Sequence, residues 1–431
     1  MKVLIVSHNV ISKTGNMGKT ISSYFYGFAT EEIAQYYIHS EVPTNHAACA
    51  NYYRFTDKNA LMSLFSRKEH GKIFGEDNIR KDDCSYKENT GAFSAVYQYG
   101  RKRNAGVFLA RDILWDLARW KTKQFKQWLC DFSPDVVLYM AGDYKFTYKI
   151  AVYAADYLNI PLVIACVDDF YIYNRNKGSW LGRVVHKQFM KTVRKSMDRA
   201  SCVFSISDTM RNAYEEMFHV RCETLHTPAE QHLLALRENA RSIAYIGNVS
   251  VKRNEQLVAL GKAIKETEIG FLDVYSGEQN PAMTAMLTEE NGIRFHGSIS
   301  AEEVLRVMEK SMAVIHTESF DPAMQDMTRF SVSTKIAESL MYGPCLIAYG
   351  PEGIASIDYL KENEAAYVIT SPDKLQSGLE EIIGDAQLRQ KIVENARKLA
   401  KKNHDANINS ANMRRWLEDA VVEYQVASLK I

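Results

Sequence analysis

The segment Ser333-Thr334-Lys335-Ile336-Ala337-Glu338 places two hydroxyls, an ammonium and a carboxylate within about two turns of one helix. Ser333 or Thr334 can cap that helix. The free N–H groups of its first turn, with the partial positive charge they carry, suit a diphosphate. Lys335 adds a full charge in the same turn. Glu338 follows Thr334 by four residues and Lys335 by three, so the three share one face. A carboxylate there can accept hydrogen bonds from both vicinal hydroxyls of a ribose. The same residues also read as an ordinary capped helix with a Lys–Glu pair on its surface.

Polar and small residues recur after the apolar runs of the second half: Gly247-Asn248, Ser276-Gly277-Glu278, Gly297-Ser298, Thr317-Glu318 and Gly350-Pro351-Glu352. In an open parallel sheet, ligands bind outside the carboxyl ends of the strands. Glycines that merely end strands are the plainer reading of any one loop; five at one rim carry more weight. Lys252 and Arg253 add positive charge just beyond the first of these loops. In the first half, Asp143 and the pair Asp168-Asp169 follow apolar runs and stand where an acceptor hydroxyl would meet them. They read equally as helix caps, and His8 is a further candidate. Lys13-Thr14-Gly15-Asn16-Met17-Gly18-Lys19-Thr20 looks like a P-loop, but Lys13 stands where that pattern requires glycine. Backbone N–H groups around Gly18 can still approach phosphates.

The elements that must hold these residues alternate strand and helix. Lys2–Ser7, Ala34–His39, Asp135–Met140, Pro161–Val167 and Cys202–Ser207 read as strands of the first half. Ile243–Ile246, Phe271–Tyr275, Ile293–His296, Ala313–His316, Cys345–Tyr349 and Ala366–Ile369 read as strands of the second. Helical segments separate them, Asp208–Phe218 and Thr334–Met341 among them. The fold class is therefore α/β, with two mostly parallel sheets covered on both faces. Glu230–Asn239 is polar and reads as the linker between them. The stretch 51–104 has weak periodicity and reads as an insertion of loops and short helices.

The 431 residues suffice for two or three domains, and 46% hydrophobic against 24% charged residues is an ordinary globular balance. A formal net charge of +1 gives no reason to expect a nucleic-acid partner. Seven scattered cysteines, none spaced C-x-x-C, argue against a disulfide framework and a structural zinc site and favour a reducing compartment. The apolar start is too short for a signal peptide, and nowhere do roughly 18 apolar residues run together. Residues 101–126 carry eight basic side chains against two acidic ones, interleaved with Trp115 and Trp120 and followed by Trp128. Such a stretch suits an anionic membrane surface, and equally a core helix with a solvated basic face.

Several of these motifs resemble those of the large GT-B retaining glycosyltransferases of the GT4 (group 1) type. Tyr245-Ile246-Gly247-Asn248 with Arg253 resembles the family's strand–glycine–basic loop. Ile293-Arg294-Phe295-His296-Gly297-Ser298-Ile299 resembles its short strand and glycine turn. Ser333–Glu338 followed by Gly343-Pro344 resembles the helix signature of its polysaccharide-assembly branch, and Gly350-Pro351-Glu352 follows in register. The resemblance implies two Rossmann-like domains facing across a cleft. An acceptor domain would span 1–228, a nucleotide-sugar domain 229–407, and a last helix, 408–431, would pack back on the first domain. It implies that Glu338 holds the ribose, that Lys335 and Arg253, or Lys252, neutralise the diphosphate, and that Thr334 donates to a phosphate oxygen. Ser333, Asn248, Gly277, Gly297 and Gly18 complete the donor site, while Asp143, Asp168, Asp169 and Glu318 are the catalytic candidates. The implied activity is transfer of a hexose-type sugar, with retention, from a nucleotide-diphosphate sugar, a UDP-sugar being favoured, to a glycan, lipid-linked or protein acceptor. No cofactor and no metal are implied, since no D-x-D motif stands on a suitable loop. The expected setting is cytoplasmic, with peripheral contact to the inner face of the membrane through 101–128. Two features depart from the family. Phe330 occupies the place of the first glutamate of Glu-x7-Glu, and Asn248 replaces an arginine. A sugar-nucleotide epimerase or a non-catalytic nucleotide-sugar-binding subunit on the same fold are the alternatives.

Overall fold

The computed structural model describes residues 1–12, 16–44, 48–75, 105–173, 179–232, 234 and 240–429. The chain divides into two compact units, Met1–Leu225 with Asn409–Ile431, and His226–Ile408.

The first unit is built on β1 (Val3–Ser7), β2 (Ile33–Tyr37), β3 (Asn51–Arg54), β4 (Lys72–Phe74), β5 (Val136–Met140), β6 (Leu162–Cys166), β7 (Cys202–Ser205) and β8 (Cys222–Thr224). They pair in the order β4-β3-β2-β1-β5-β6-β7-β8. Only β4 among them runs antiparallel to its neighbour. Every residue of β1, β2, β5, β6 and β7 is buried. This is why these strands read as unbroken apolar runs rather than alternating ones: helices cover both faces. The second unit holds β9 (Ser242–Ile246), β10 (Leu272–Tyr275), β11 (Ile293–Gly297), β12 (Ser311–Thr317), β13 (Cys345–Tyr349) and β14 (Tyr367–Ile369), all parallel, in the order β11-β10-β9-β12-β13-β14. In both sheets the strand order reverses beside the unit's first strand. The reversal falls between β1 and β5 in one sheet and between β9 and β12 in the other. Loops diverge there, and the crevice between them is where such sheets take ligands.

The core of the second unit lies on both faces of its sheet. Ile243, Ile315 and Ile347 pack with Leu257 and Leu260 on one side. Val314 and Leu346 pack with Ile336, Leu340 and Ile357 on the other. The helix Arg253–Lys265 sits close to its neighbours because residue 261 is glycine: a Cβ there would lie 2.4 Å from the carbonyl oxygen of Asn291. In the first unit Val3, Ile5, Leu138 and Phe204 share one core with Met413, Leu417 and Ala420 of the last helix, Ala406–Ser428. That helix begins at Ala406, two residues before the bound expected from the sequence, and polar Asn409 and Ser410 are buried in its first turns.

Two regions differ from the sequence reading. Residues 51–75 are not an insertion: β3, the helix Asp57–Phe65 and β4 extend the first sheet. β3, with Tyr52 and Tyr53 both buried, shows no alternation because both of its faces are covered, and β4 is only three residues long. Residues 76–104 lie outside the described residues. The basic stretch is broken into the helices Ala105–Leu117 and Lys123–Phe132, the second capped by Thr122, whose hydroxyl accepts from the N–H of Phe125. Trp115, Trp120 and Trp128 all turn inward, so they are not interfacial anchors. Trp115 stacks on Phe146 at 4.3 Å between ring centroids. Among the described residues no helix is long and apolar enough to cross a membrane.

The last helix is fastened to the first unit by charge as well as by packing. The two carboxylate oxygens of Glu32 accept from the two terminal nitrogens of Arg414 at 2.9 and 2.7 Å, and the Met1 ammonium lies 3.0 Å away. The Arg414 hydrogen bonds, above all, hold the Glu32 carboxyl down at about 2. A depressed carboxyl stabilises the fold above its unfolded value of 4.5, and that contribution is lost as pH falls from there towards 2. Arg414→Ala is expected to lower unfolding free energy by about 1–2 kcal/mol at pH 7, after allowance for partial exposure. Urea denaturation should show the gap between variant and wild type shrinking below pH 4; a gap that stays constant with pH assigns the loss to packing alone.

Candidate functional site

The strand-order reversal of the second sheet brings together residues 64 or more positions apart in the chain. β9 leads into a tight turn in which Val251 and Lys252 both adopt left-handed backbone (φ 53° and 57°), unusual for residues with bulky side chains. Asn248 shapes this turn: its side-chain oxygen accepts from the N–H of Ser250 (2.6 Å) and its carbonyl from the Tyr245 hydroxyl (2.6 Å). The turn delivers Arg253 to the first position of its helix, beside the end of β12. There the guanidinium donates through Nε to the Thr317 carbonyl (3.1 Å) and through Nη2 to Glu318 Oε1 (2.7 Å). Lys252 reaches across the same reversal to Asp321 at 2.7 Å.

Glu318 is almost fully buried, and burial pushes its carboxyl up while Arg253 draws it back. His316, two residues earlier on β12, is buried as well. Its Nε2 lies 3.0 Å from the Ser356 hydroxyl and 3.5 Å from Glu318 Oε1. Burial, and next the charge of Arg253, lowers its pKa to about 3, so this imidazole is neutral.

The helix Thr334–Tyr342 lies between β12 and β13 in the chain. Since those strands are parallel neighbours, the helix must start at the carboxyl rim to return the chain to the opposite edge. Ser333 is its cap, accepting from the N–H of Lys335 at 3.3 Å, while Thr334 is exposed at the first helical position. Lys335 Nζ and Glu338 Oε2 pair at 3.0 Å across one turn. At the other end of the rim, Gly297 (φ 74°) ends β11, with open space where a Cβ would stand. Gly277 is exposed after β10, its nearest side-chain neighbour being Ser298. Between them the Tyr275 ring stacks on His296 at 4.5 Å, and His296 Nε2 lies 2.7 Å from Asp273.

The first sheet gathers a second cluster at its own reversal. The His8 ring, just past β1, stacks on Tyr144, just past β5, at 5.4 Å. Arg111 lies over Tyr144 at 4.0 Å, donates through Nε to Asp57 (2.9 Å), and places Nη2 3.1 Å from His8 Nε2. Burial, then Arg111, lowers the His8 pKa to about 3. A neutral ring that accepts from Arg111 at Nε2 carries its proton on Nδ1, facing the Asn9 side-chain oxygen at 3.3 Å. Burial opposes the charge of Arg111, but Asp57, Tyr144 and Asp143 around it outweigh that. Among the described residues no group of three or more His, Cys, Asp or Glu side chains is arranged to hold a metal ion.

Residues 260–415 match the family described as Glycosyl transferase-like. The chain is similar in fold to HepE of Anabaena, solved in complex with UDP, with 12% identity, a TM-score of 0.61 and coverage of 97% of this chain and 100% of that one. It is likewise similar to the sucrose-phosphate synthase of Thermosynechococcus elongatus, at 9% identity and TM-score 0.60 over 98% of this chain and 100% of that one. A UDP-forming α,α-trehalose-phosphate synthase from Burkholderia xenovorans, solved with glucose-6-phosphate, matches at 9% identity and TM-score 0.57 over 97% and 100%. No curated protein matches the chain by sequence. The chain shares the GT-B fold of these enzymes.

The donor-side candidates read from the sequence, Asn248, Lys252, Arg253, Gly277, Gly297, Ser333, Thr334, Lys335 and Glu338, all belong to the second unit. They follow β9, β10, β11 and β12. Glu318 joins Arg253 rather than standing in a loop of its own. Gly18 lies in the first turn of the helix Asn16–Tyr24, where a Cβ would meet the Val10 carbonyl oxygen at 2.4 Å. Its side-chain-free position is needed for that packing, whatever else its backbone does. Asp143 and Asp168 follow β5 and β6, both half-buried. Asp169 is occupied structurally: it accepts from the N–H groups of Tyr171, Ile172 and Tyr173 (3.0, 3.0 and 3.1 Å) and from the Tyr214 hydroxyl (2.8 Å). The pairing of Lys252 with Asp321 and the cluster of Arg111, Asp57 and Tyr144 escaped the sequence reading. The signal that leads to them is the strand order, since only neighbours at a reversal can meet. Asp169→Ala is expected to cost the protein about 2–4 kcal/mol of stability by stranding buried donors, and Asp169→Asn less. An Asp169→Ala protein that unfolds at the wild-type urea midpoint would return this carboxylate to the list of groups free for chemistry.

Proposed function

We propose that the protein transfers a hexose-type sugar with retention from a UDP-sugar, bound by the second unit, to a glycan, lipid-linked or protein acceptor bound by the first. The observation that carries the reading is the capped start of the helix Thr334–Tyr342, with Lys335 and Glu338 on its first turns, on the same sheet rim as Lys252 and Arg253. The choice of UDP leans on the UDP held by HepE and on the UDP-forming reaction of the trehalose-phosphate synthase.

The chemistry follows from charge. As the bond between the anomeric carbon and the donor's phosphate oxygen breaks, negative charge grows on the diphosphate. The helix start with its partial positive charge, the Thr334 hydroxyl, Lys335 and Arg253 lower the energy of that charge more than they lower the energy of the intact donor. Glu338 would exchange its Lys335 contact for the ribose hydroxyls, freeing the ammonium for phosphate. Asp143 and Asp168 remain the first-unit carboxylates offered to the acceptor. A setting inside the cell fits the six described cysteines, all unbridged. Contact with an anionic membrane would rest on exposed Lys121 and Lys123 with Ile113 and Leu117, not on the tryptophans.

A thermal-shift panel tests the reading: UDP and UDP-sugars should raise the melting temperature in a concentration-dependent way. Lys335→Ala is expected to cut kcat by about 10²–10³-fold. Glu338→Ala should weaken UDP by about tenfold while leaving free uracil unaffected. A purified enzyme that neither hydrolyses nor transfers from any UDP-, GDP- or ADP-sugar defeats the proposal.

A further inference from the structure

Arg253 and Glu318 form a pair whose two members are buried unequally, the arginine side chain 18% exposed and the glutamate 2%. The guanidinium uses one edge, Nε and Nη2, on the Thr317 carbonyl and Glu318 Oε1. Its remaining amino group, Nη1, has no acceptor among the described residues. Glu318 Oε2 is buried without a hydrogen-bond partner; the Thr328 hydroxyl nearby is donated to the Met324 carbonyl at 3.1 Å. His316 beside the pair is neutral and turned to Ser356, so it does not compete for the carboxylate.

A carboxylate removed from water gains little net stability from one ion pair. It does fix the plane of a side chain that otherwise samples many rotamers. Here two hydrogen bonds lock one edge of the fork and leave the other as the free donor. The turn before it, with two left-handed residues, fixes the backbone end of the same side chain. A group meant to meet a developing anion is most effective when held in place beforehand. Glu318 itself has no comparable outlet: one oxygen is spent on Arg253 and the residue is shut away from solvent.

We propose that Glu318 is a positioning residue, which orients Arg253 so that Nη1 is presented to the diphosphate of the donor, and that it makes no contact with the transferred sugar. This rests on the reading of the second unit as the donor site. Glu318 thus acts through Arg253, across the reversal between β9 and β12.

A double-mutant cycle tests it, with UDP and uridine affinities measured by calorimetry and donor kinetics measured alongside. E318Q is expected to weaken UDP about tenfold and leave uridine unchanged, because uridine lacks the diphosphate. Donor kcat should fall more than KM rises, because Arg253 acts more on the developing charge than on the intact donor. On an R253A background, E318Q should add less than about twofold, since its effect passes through the missing guanidinium. E318D, with the charge kept but set back by one methylene, should fall between wild type and E318Q, and it carries the test if E318Q does not fold. Additive losses in the cycle, or a kcat abolished with UDP affinity intact, overturn the positioning role in favour of direct chemistry. Wild-type UDP binding with E318Q and E318D both unaffected overturns this proposal alone. A wild-type protein that binds no nucleoside diphosphate overturns the donor-site reading and this proposal with it.

Discussion

The meeting of Arg253 with Glu318 depends on β9 and β12 being parallel neighbours, and much of the second unit follows from that adjacency. Once β9 and β12 pair, the chain beyond each must diverge, and a crevice opens between the two loops. Two cation–carboxylate pairs, Arg253–Glu318 and Lys252–Asp321, span it. The buried one sets a hard condition. Glu318 cannot keep its charge there without a cation, and the only strong one that reaches it among the described residues comes from the far side of the reversal. The fold and the electrostatics therefore constrain each other.

The same logic shapes the first unit with different side chains. At the reversal between β1 and β5, a neutral His8, a stacked Tyr144 and an Arg111 shared with Asp57 occupy the equivalent place. Here the cation meets an aromatic face as well as a carboxylate. One sheet rim is thus dressed for phosphate-like charge, and the other for a more mixed surface of rings, carboxylates and a single arginine.

The chain also shows how motifs mislead when taken one at a time. The Lys13–Thr20 run has the composition of a phosphate loop, yet Gly18 is needed to let a helix close on the Val10 carbonyl. Residues 101–128 have the composition of a membrane-surface helix, yet their three tryptophans fill the interior. Asp168-Asp169 looks like a pair of catalytic acids, yet Asp169 spends both oxygens tying down the following turn. In each case the local pattern was real, and packing gave it another use.

Strand and helix succession was written in the sequence, because parallel strands covered on both faces must be apolar runs and their crossovers must be helices. Asp208–Phe218 and Cys345–Tyr349 could be read to the residue, and the Ser333–Glu338 helix start was legible because a cap, a cation and a carboxylate at helical spacing are local features. The residues 51–75 were not legible, since strands in a two-sided core lose the alternation that marks them, and the antiparallel β4 is only three residues long. Nor was the partnership of Arg253 with Glu318, or of Arg111 with Asp57 and His8. Those pairs join positions dozens of residues apart. Spacing along a chain cannot encode them, and only the order in which strands pair decides which loops share a rim and which buried charges find each other.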